Sequence, residues 1–154
     1  MANDRHRGFD HVTVAVHDLQ AAIDFFALLG FEETKAVVVS GQEMARYMGI
    51  PGWEADHVTL TLGSAPSHQE VQLLRFHRPE LPHNPDERDL ARPGYNHVCF
   101  AVDDLDATLA RLAAHDVKAR GDVLEFHDRR LVFLEGPAGV TVELAEWQEG
   151  PAGR

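Results

Sequence analysis

FDHVTVAVHDLQAAIDFFALLGFE (residues 9–32) and YNHVCFAVDDLDATLARLAAHDVK (residues 95–118) decide the fold, because they are two copies of one pattern. The positions that match, all 86 apart, are His11 with His97, Val16 with Val102, Asp18 with Asp104 and Leu19 with Leu105. A second match, at an offset of 71, joins VQLLRF from Val71 to VELAEW from Val142. Matches in the same order at both ends predict two related halves. The first half then carries 86 − 71 = 15 extra residues, which we place in GQEMARYMGIPGWEADH (residues 41–57).

Each half is predicted to be a βαβββ module. HVTVAV (residues 11–16) alternates over a strand's length. Asp18 then stands at an N-cap position, and apolar residues recur at helical spacing up to Gly30, the predicted C-cap. The second half repeats this order, with Asp104 as the N-cap. The further strands are predicted at TKAVVVS (34–40), HVTLTLG (57–63) and EVQLLRF (70–76), and at KARGDVLEF (118–126), RLVFLEG (130–136) and VTVELAEW (140–147).

The predicted fold is therefore of the α+β class, with two tandem βαβββ modules that form a curved mixed sheet around a central cavity. With 154 residues, the chain has the length of one domain. We place the first module at about residues 8–77 and the second at about residues 95–148. Residues 78–94, which are rich in proline and charge, form the predicted linker.

Composition excludes several classes of function. The formal net charge of −11 repels phosphate backbones, so nucleic-acid binding is not expected. No apolar run approaches the roughly 20 residues that span a bilayer, so no membrane segment is expected. The charged start MANDRHRGFD lacks the apolar stretch of a signal peptide, which favours the cytoplasm. A single cysteine, Cys99, excludes an internal disulfide and a Cys-rich zinc site.

Polar residues recur at equivalent places in the two halves. Alternate side chains of a strand share a face, so the valines of HVTVAV face the helix and His11 and Thr13 face the other way. The same alternation puts Gln72, His97 and Glu143 on the face that opposes the helices. Two imidazoles, a carboxylate and an amide oxygen suit one divalent ion of Zn, Co, Ni, Mn or Fe(II). A single histidine at a strand start is more often a surface residue, but the repeated pairing favours the metal.

The insertion and the third strand of the first half carry further candidates. EMARYMGIPGWEADH is predicted to form a short helix and a loop over the cavity, with an apolar wall that includes Tyr47 and Trp53. Arg46 is the candidate for binding a carboxylate or phosphate, the alternative being a packing helix with a solvated arginine. His57, with Thr59 on the same face, is a candidate base, the alternative being a surface histidine. Cys99 is expected to be a small core residue.

DHVTVAV, NHVCFAVDDLDA and GPAGVTVEL make residues 8–148 resemble the vicinal-oxygen-chelate superfamily. That superfamily includes glyoxalase I, methylmalonyl-CoA epimerase, extradiol dioxygenases, fosfomycin-modifying transferases and bleomycin-binding resistance proteins. The resemblance implies metal ligands at His11, Gln72, His97 and Glu143, a set most similar to that of methylmalonyl-CoA epimerase. The epimerase's second catalytic base falls near Thr59, which is not a carboxylate.

The resemblance also implies an activity. We expect a glyoxalase-like isomerase, epimerase or lyase that acts on a small α-oxo or α-hydroxy carbonyl or acyl-thioester substrate through a metal-stabilised enolate, with Glu143 as the base. Thr13, Arg46, Tyr47, Trp53 and Thr59 are the expected substrate-binding residues, and a homodimer is the expected assembly. Two alternatives stay open: a non-catalytic ligand-binding protein of the bleomycin-resistance type and an Fe(II) dioxygenase.

Overall fold

The computed structural model describes residue 5 and residues 7–148. The chain divides between Leu81 and Pro82 into two compact units. That boundary falls inside residues 78–94, the stretch predicted as the linker. No helix within the described ranges is long and apolar enough to cross a membrane.

The first unit contains four strands and two helices in one βαβββ order with an added helix. Its elements are β1 (Val12–Ala15), α1 (Leu19–Leu28), β2 (Glu32–Val39), α2 (Gln42–Met48), β3 (Glu54–Thr61) and β4 (Glu70–Arg78). The strands form one sheet in the order β1-β4-β3-β2. β1 pairs with β4 in parallel, and the other pairs are antiparallel.

The second unit repeats this topology without the added helix. Its elements are β5 (Val98–Ala101), α3 (Leu105–Ala113), β6 (Leu124–Phe126), β7 (Arg129–Glu135), a 3₁₀ turn (Pro137–Gly139) and β8 (Thr141–Trp147). The strand order is β5-β8-β7-β6, with β5 and β8 parallel. The predicted α+β class and the two βαβββ modules are confirmed, and the eight strands form two four-stranded mixed sheets.

Two strands, β6 and β3, differ most from their predicted ranges. The strand expected over residues 118–126 is reduced to β6, and Ala119 makes only an isolated bridge to Leu134. Gly121 and Asp122 interrupt this stretch, and both residue types are disfavoured in strands. β3 starts at Glu54 rather than at His57 and so takes in the end of the insertion.

Each first helix starts as its sequence predicts. The Asp18 side chain accepts a hydrogen bond from the Ala21 amide at 3.0 Å, and Asp104 accepts one from the Ala107 amide at 2.9 Å. These bonds satisfy amide groups that the first turn leaves without partners. α1 ends one residue earlier than expected, with Leu29 as the C-cap and Gly30 following at a φ of +91°.

The strands divide their side chains between two faces. Val14, Val16, Val71 and Leu73 are buried on the face that α1 covers, which also buries Phe26. Apolar area removed from water is the main stabilising term in such a layer. On β1 the alternate residues, Thr13 and Ala15, are exposed. Along β1, α1 therefore covers one face and leaves the other exposed, as the alternation predicted.

The insertion packs on that second face of the first sheet. α2 is confirmed as the short helix expected there. Its residues Met44, Ala45 and Met48 pack against a buried cluster of Trp53, Ala55 and Leu74. Leu74 alternates with Gln72 along β4, so both side chains lie on the same face. α2 thus covers one end of the face on which Gln72 lies.

Candidate metal centre

The second unit holds a histidine and a carboxylate side by side. β5 and β8 pair in parallel with Cys99 opposite Glu143, and His97 immediately precedes β5. His97 Nε2 lies 3.7 Å from Glu143 Oε1. The Glu143 side chain is only 15% exposed. The two residues therefore face each other from neighbouring strands at a partly buried position.

The His97 ring is held by two contacts. Its Nδ1 lies 2.7 Å from Asn96 Oδ1, and because a carbonyl oxygen only accepts, Nδ1 carries the proton and donates it. Its edge-to-face contact with the Phe133 ring places the two centroids 5.2 Å apart. The proton on Nδ1 leaves the lone pair of Nε2 available to a metal on the side that faces Glu143.

Cys99 differs from its prediction. It is exposed rather than a core residue, because it alternates along β5 with the partly buried Val98 and Phe100 and so lies on the opposite face. Partial burial raises the pKa of the Cys99 thiol to about 12, and the neighbouring Glu143 carboxylate adds to the rise. At neutral pH the thiol is therefore protonated, which makes it a poor nucleophile.

The first unit builds its equivalent position differently. β1 and β4 pair with Thr13 opposite Gln72, the same register that joins Cys99 to Glu143. Gln72 Nε2 donates to Glu70 Oε2 at 2.6 Å. Gln72 Oε1 lies 3.0 Å from His57 Nε2 and 3.5 Å from the Thr13 hydroxyl. Gln72 is thus the centre of a polar network.

His11 lies at the edge of this network. Its Nδ1 is hydrogen-bonded to Asp10 Oδ1 and lies 3.9 Å from Glu70 Oε2. The hydrogen bond from His11 lowers the pKa of the Asp10 carboxyl. Asp10, His11 and Glu70 each offer one donor atom to a metal, and the three atoms lie within 4.8 Å of one another.

The remaining candidates fall at different distances from the network. Thr59 pairs with Gln72 across β3 and β4, so both side chains share the polar face. Arg46 and Tyr47 are exposed on α2, and Tyr47 is 83% exposed. Trp53 is only 2% exposed beneath α2, so it supports the apolar wall from behind and offers no surface of its own.

The donor atoms of His97 and Glu143 in the second unit fit a divalent ion. Nitrogen and oxygen ligands lie about 2.0–2.2 Å from such an ion, so two ligands of one ion lie at most about 4 Å apart. The 3.7 Å between His97 Nε2 and Glu143 Oε1 meets this condition. In the first unit, His11 Nδ1 donates its proton to Asp10, as His97 Nδ1 does to Asn96. Nε2 of His11 is therefore the nitrogen left for an ion.

Three residues of these networks were missed at the sequence level. Asp10 and Asn96 bind the Nδ1 atoms of the two histidines, and Glu70 binds Gln72. The signal for the first two was present, because Asp10 and Asn96 are also 86 positions apart. Glu70 has no such signal, since the residue 71 positions later is Thr141.

Comparison with known proteins extends this picture. Residues 8–144 match the family described as the Glyoxalase/Bleomycin resistance protein/Dioxygenase superfamily. Over 78 residues the chain is 35% identical to the uncharacterized protein YaeR of Escherichia coli (strain K12). This match covers 49% of this chain and 57% of YaeR. Over 64 residues it is 34% identical to glyoxalase I of Saccharomyces cerevisiae. That match covers 39% of this chain but only 20% of the yeast enzyme.

Solved structures share the whole fold. A glyoxalase family protein from Bacillus cereus superposes with a TM-score of 0.85 at 26% identity, over 97% of this chain and 99% of that chain. The fosfomycin resistance protein FosX from Listeria monocytogenes, in complex with Mn(II) and sulfate, gives a TM-score of 0.57 at 16% identity, over 92% of this chain and 93% of FosX. At that identity, the likeness to FosX concerns the fold alone.

Proposed function

Because this chain belongs to the glyoxalase/bleomycin resistance protein/dioxygenase superfamily, we propose that it is a metal-dependent isomerase, epimerase or lyase of the glyoxalase-like type. Its proposed substrate is a small α-oxo or α-hydroxy carbonyl compound or an acyl thioester. The observation that carries this proposal is the pair formed by His97 and Glu143, whose Nε2 and Oε1 atoms lie 3.7 Å apart. Partial matching to yeast glyoxalase I supports the same class of reaction.

The proposed cofactor is one divalent ion of Zn, Co, Ni, Mn or Fe, held by His11, Gln72, His97 and Glu143. The donor set supports this choice, since imidazole, carboxylate and amide groups suit such ions. The Mn(II) of the FosX structure supports it from a protein of the same fold. When bound, the ion would act as a Lewis acid that stabilises negative charge on a substrate oxygen.

The protein's own groups supply the proton transfer and the binding. Glu143 is the proposed base, because an ionised carboxylate beside the substrate carbon can accept its proton. His57 is the second candidate; its Nε2 contacts Gln72, so Nδ1 is the atom left to move a proton. Thr13 and Thr59 place hydroxyl groups on the polar face of the first sheet, where they can donate to substrate oxygens.

The exposed α2 residues have a separate proposed role. Arg46 offers a guanidinium that can hold a carboxylate or phosphate of the substrate. Tyr47 offers a large exposed aromatic surface beside it, and Trp53 supports the helix from below. These residues would select the part of the substrate that does not react, so their loss should raise KM more than it lowers kcat.

The first experiment measures metal content. The protein is stripped with a chelator, reconstituted with Zn, Co, Ni, Mn or Fe(II), and dialysed before metal analysis. We expect about one ion per chain, as for a single mononuclear site, and loss of that ion in His97→Ala. The matched control is His115→Ala, which removes an exposed histidine of the same unit whose ring Nδ1 lies 3.0 Å from the Arg111 carbonyl oxygen.

The second experiment tests the reaction. Small α-hydroxy ketones and acyl thioesters are incubated with the reconstituted protein in D₂O. Metal-dependent entry of deuterium at the carbon next to the carbonyl is expected, and it should disappear in Glu143→Gln. Consumption of oxygen would instead indicate a dioxygenase. Tight ligand binding that is indifferent to chelators, without exchange, would indicate a binding protein and would contradict the proposal.

A further inference from the structure

Glu70 is a carboxylate in the first unit, and the second unit has no carboxylate at the equivalent position, where Thr141 stands. We infer that Glu70 is a positioning residue that fixes the side-chain amide of Gln72 so that its oxygen, and not its nitrogen, faces the metal. The inference rests on the proposed metal site and adds a residue outside the repeated pattern of ligands. Glu70 would act only through Gln72 and would not touch the ion.

The contact between the two side chains sets the direction of the amide. Gln72 Nε2 lies 2.6 Å from Glu70 Oε2. An ionised carboxylate can only accept hydrogen bonds, so it must face the NH₂ end of the amide. The flipped amide would put Oε1 against the carboxylate, two acceptors with no proton between them. Glu70 therefore excludes the orientation in which nitrogen faces the site.

The other end of the amide agrees with this orientation. Gln72 Oε1 lies 3.0 Å from His57 Nε2, which must then carry a proton and donate it. A carbonyl oxygen has two lone pairs, and the bond from His57 uses one of them. The Thr13 hydroxyl lies 3.5 Å away, at the outer limit of a hydrogen bond. The Thr13 hydroxyl engages the second lone pair only through this long contact, which an ion at Oε1 would replace.

Glu70 is itself held in place. Its Oε1 lies 3.2 Å from His68 Nε2, and its Oε2 lies 3.9 Å from His11 Nδ1. The Glu70 side chain is 14% exposed. Both oxygens are therefore engaged with neighbours, Oε1 with His68 and Oε2 with Gln72. This is the reason to assign Glu70 an orienting role rather than a place among the ligands.

The second unit explains why one half needs such a residue and the other does not. The equivalent of Gln72 is Glu143, whose two oxygens are chemically the same, so either side of the group can bind an ion. An amide has one oxygen and one nitrogen, and nitrogen that carries two protons is not a ligand. The equivalent of Glu70 is Thr141, which is fully buried and carries no charge.

The test measures Co(II) affinity by calorimetry, together with the visible absorption of the bound Co(II). Glu70→Gln keeps the shape of the side chain but removes the obligatory acceptor. We expect it to weaken Co(II) binding about tenfold, as for other residues that orient a ligand, and to change the Co(II) spectrum. In a Gln72→Ala background the same substitution should have no further effect. The exchange Glu70→Gln/Gln72→Glu keeps the net charge and should restore the affinity.

A second measurement does not depend on metal. The side-chain amide protons of Gln72, assigned in the ¹⁵N NMR spectrum by their loss in Gln72→Ala, should be shifted by the bond to Glu70 and should move in Glu70→Gln. Unchanged amide signals would overturn the inference, as would an equal loss of Co(II) affinity in the Gln72→Ala background. If the amide signals move but wild type and His97→Ala bind Co(II) equally well, the proposed metal site is wrong and the inference falls with it, while the contact itself stands.

Discussion

The two units place different chemistry on the same backbone register. Where the first sheet has Thr13, Gln72 and Thr59, the second has Cys99, Glu143 and Phe133. In the first unit, the central side chain is bonded to other polar groups on three sides. In the second unit, the carboxylate lies beside a neutral thiol, and an aromatic ring packs against the histidine.

This difference teaches that duplicated topology does not duplicate a ligand. A neutral amide needs neighbours that fix its direction, whereas a carboxylate brings its own charge to a metal. We therefore expect Glu143 to contribute more to the proposed metal binding than Gln72. The predictions compare equivalent positions of the two units.

The largest expected effect separates Glu143 from Gln72. Truncation to Ala at each position removes one proposed ligand from equivalent strand pairs. We expect Glu143→Ala to weaken metal binding about a hundredfold, close to 3 kcal/mol, because it removes a charged ligand. Gln72→Ala should weaken it about tenfold at most. Calorimetric titration with Zn²⁺ measures both. Equal losses would show that Glu143 and Gln72 contribute alike to metal binding, which would contradict the expected difference.

The next effect concerns Glu146 on β8 and the equivalent residue on β4. Glu146 accepts a hydrogen bond from the Leu105 amide at 2.6 Å and lies 3.3 Å from Arg130. The equivalent residue in the first unit is Arg75, an exposed partner of Asp56 at 3.6 Å. We expect Glu146→Ala to lower the free energy of unfolding by about 1–3 kcal/mol, since it leaves a buried donor unpaired.

The matched variant Arg75→Ala should cost about 1 kcal/mol or less, as for exposed ion pairs. Urea denaturation followed by circular dichroism measures both variants. A larger cost for Arg75→Ala than for Glu146→Ala would contradict the comparison. Salt offers a further control, because only the exposed pair should weaken at high ionic strength.

The smallest effect is a pH dependence confined to the first unit. His77 Nδ1 lies 2.9 Å from Glu54 Oε1, and Nε2 lies 3.0 Å from Asp56 Oδ1. The hydrogen bonds to Asp56 and Glu54 raise the pKa of His77, so folding favours its protonated form. That contribution is full below the ordinary pKa of about 6.5 and is lost as the pH rises through the raised value. Arg75 contacts Asp56 and Arg78 contacts Glu54, so both arginines face the same carboxylates as His77.

The second unit has Gln148 at the equivalent position, so His77→Gln makes the two units alike. The variant should be less stable than wild type at about pH 6, and the difference should shrink towards about pH 9. Denaturant unfolding at several pH values measures it. A difference that stays constant or grows with pH would contradict the assignment to His77.

Much of the fold followed from local patterns. Aspartates at the N-caps predicted the starts of α1 and α3, and alternating apolar residues predicted most strands, because these signals are local. The prediction of one strand over residues 118–126 was wrong, and the reason is also local. Glycine and aspartate, here Gly121 and Asp122, are disfavoured in strands. Of the candidate site, the repeat predicted the positions of His11, Gln72, His97 and Glu143, because it specifies strand position and face.

The sequence by itself determined the two βαβββ modules and the face on which the candidate ligands lie, since period and repeat encode both. Only the tertiary structure decided the partners of those ligands. Glu70 contacts Gln72 on the same face of β4, and His57 contacts Gln72 from β3. The two donor–acceptor distances are 2.6 Å and 3.0 Å. Such distances depend on rotamers and strand register together, and a pattern of residue types specifies neither.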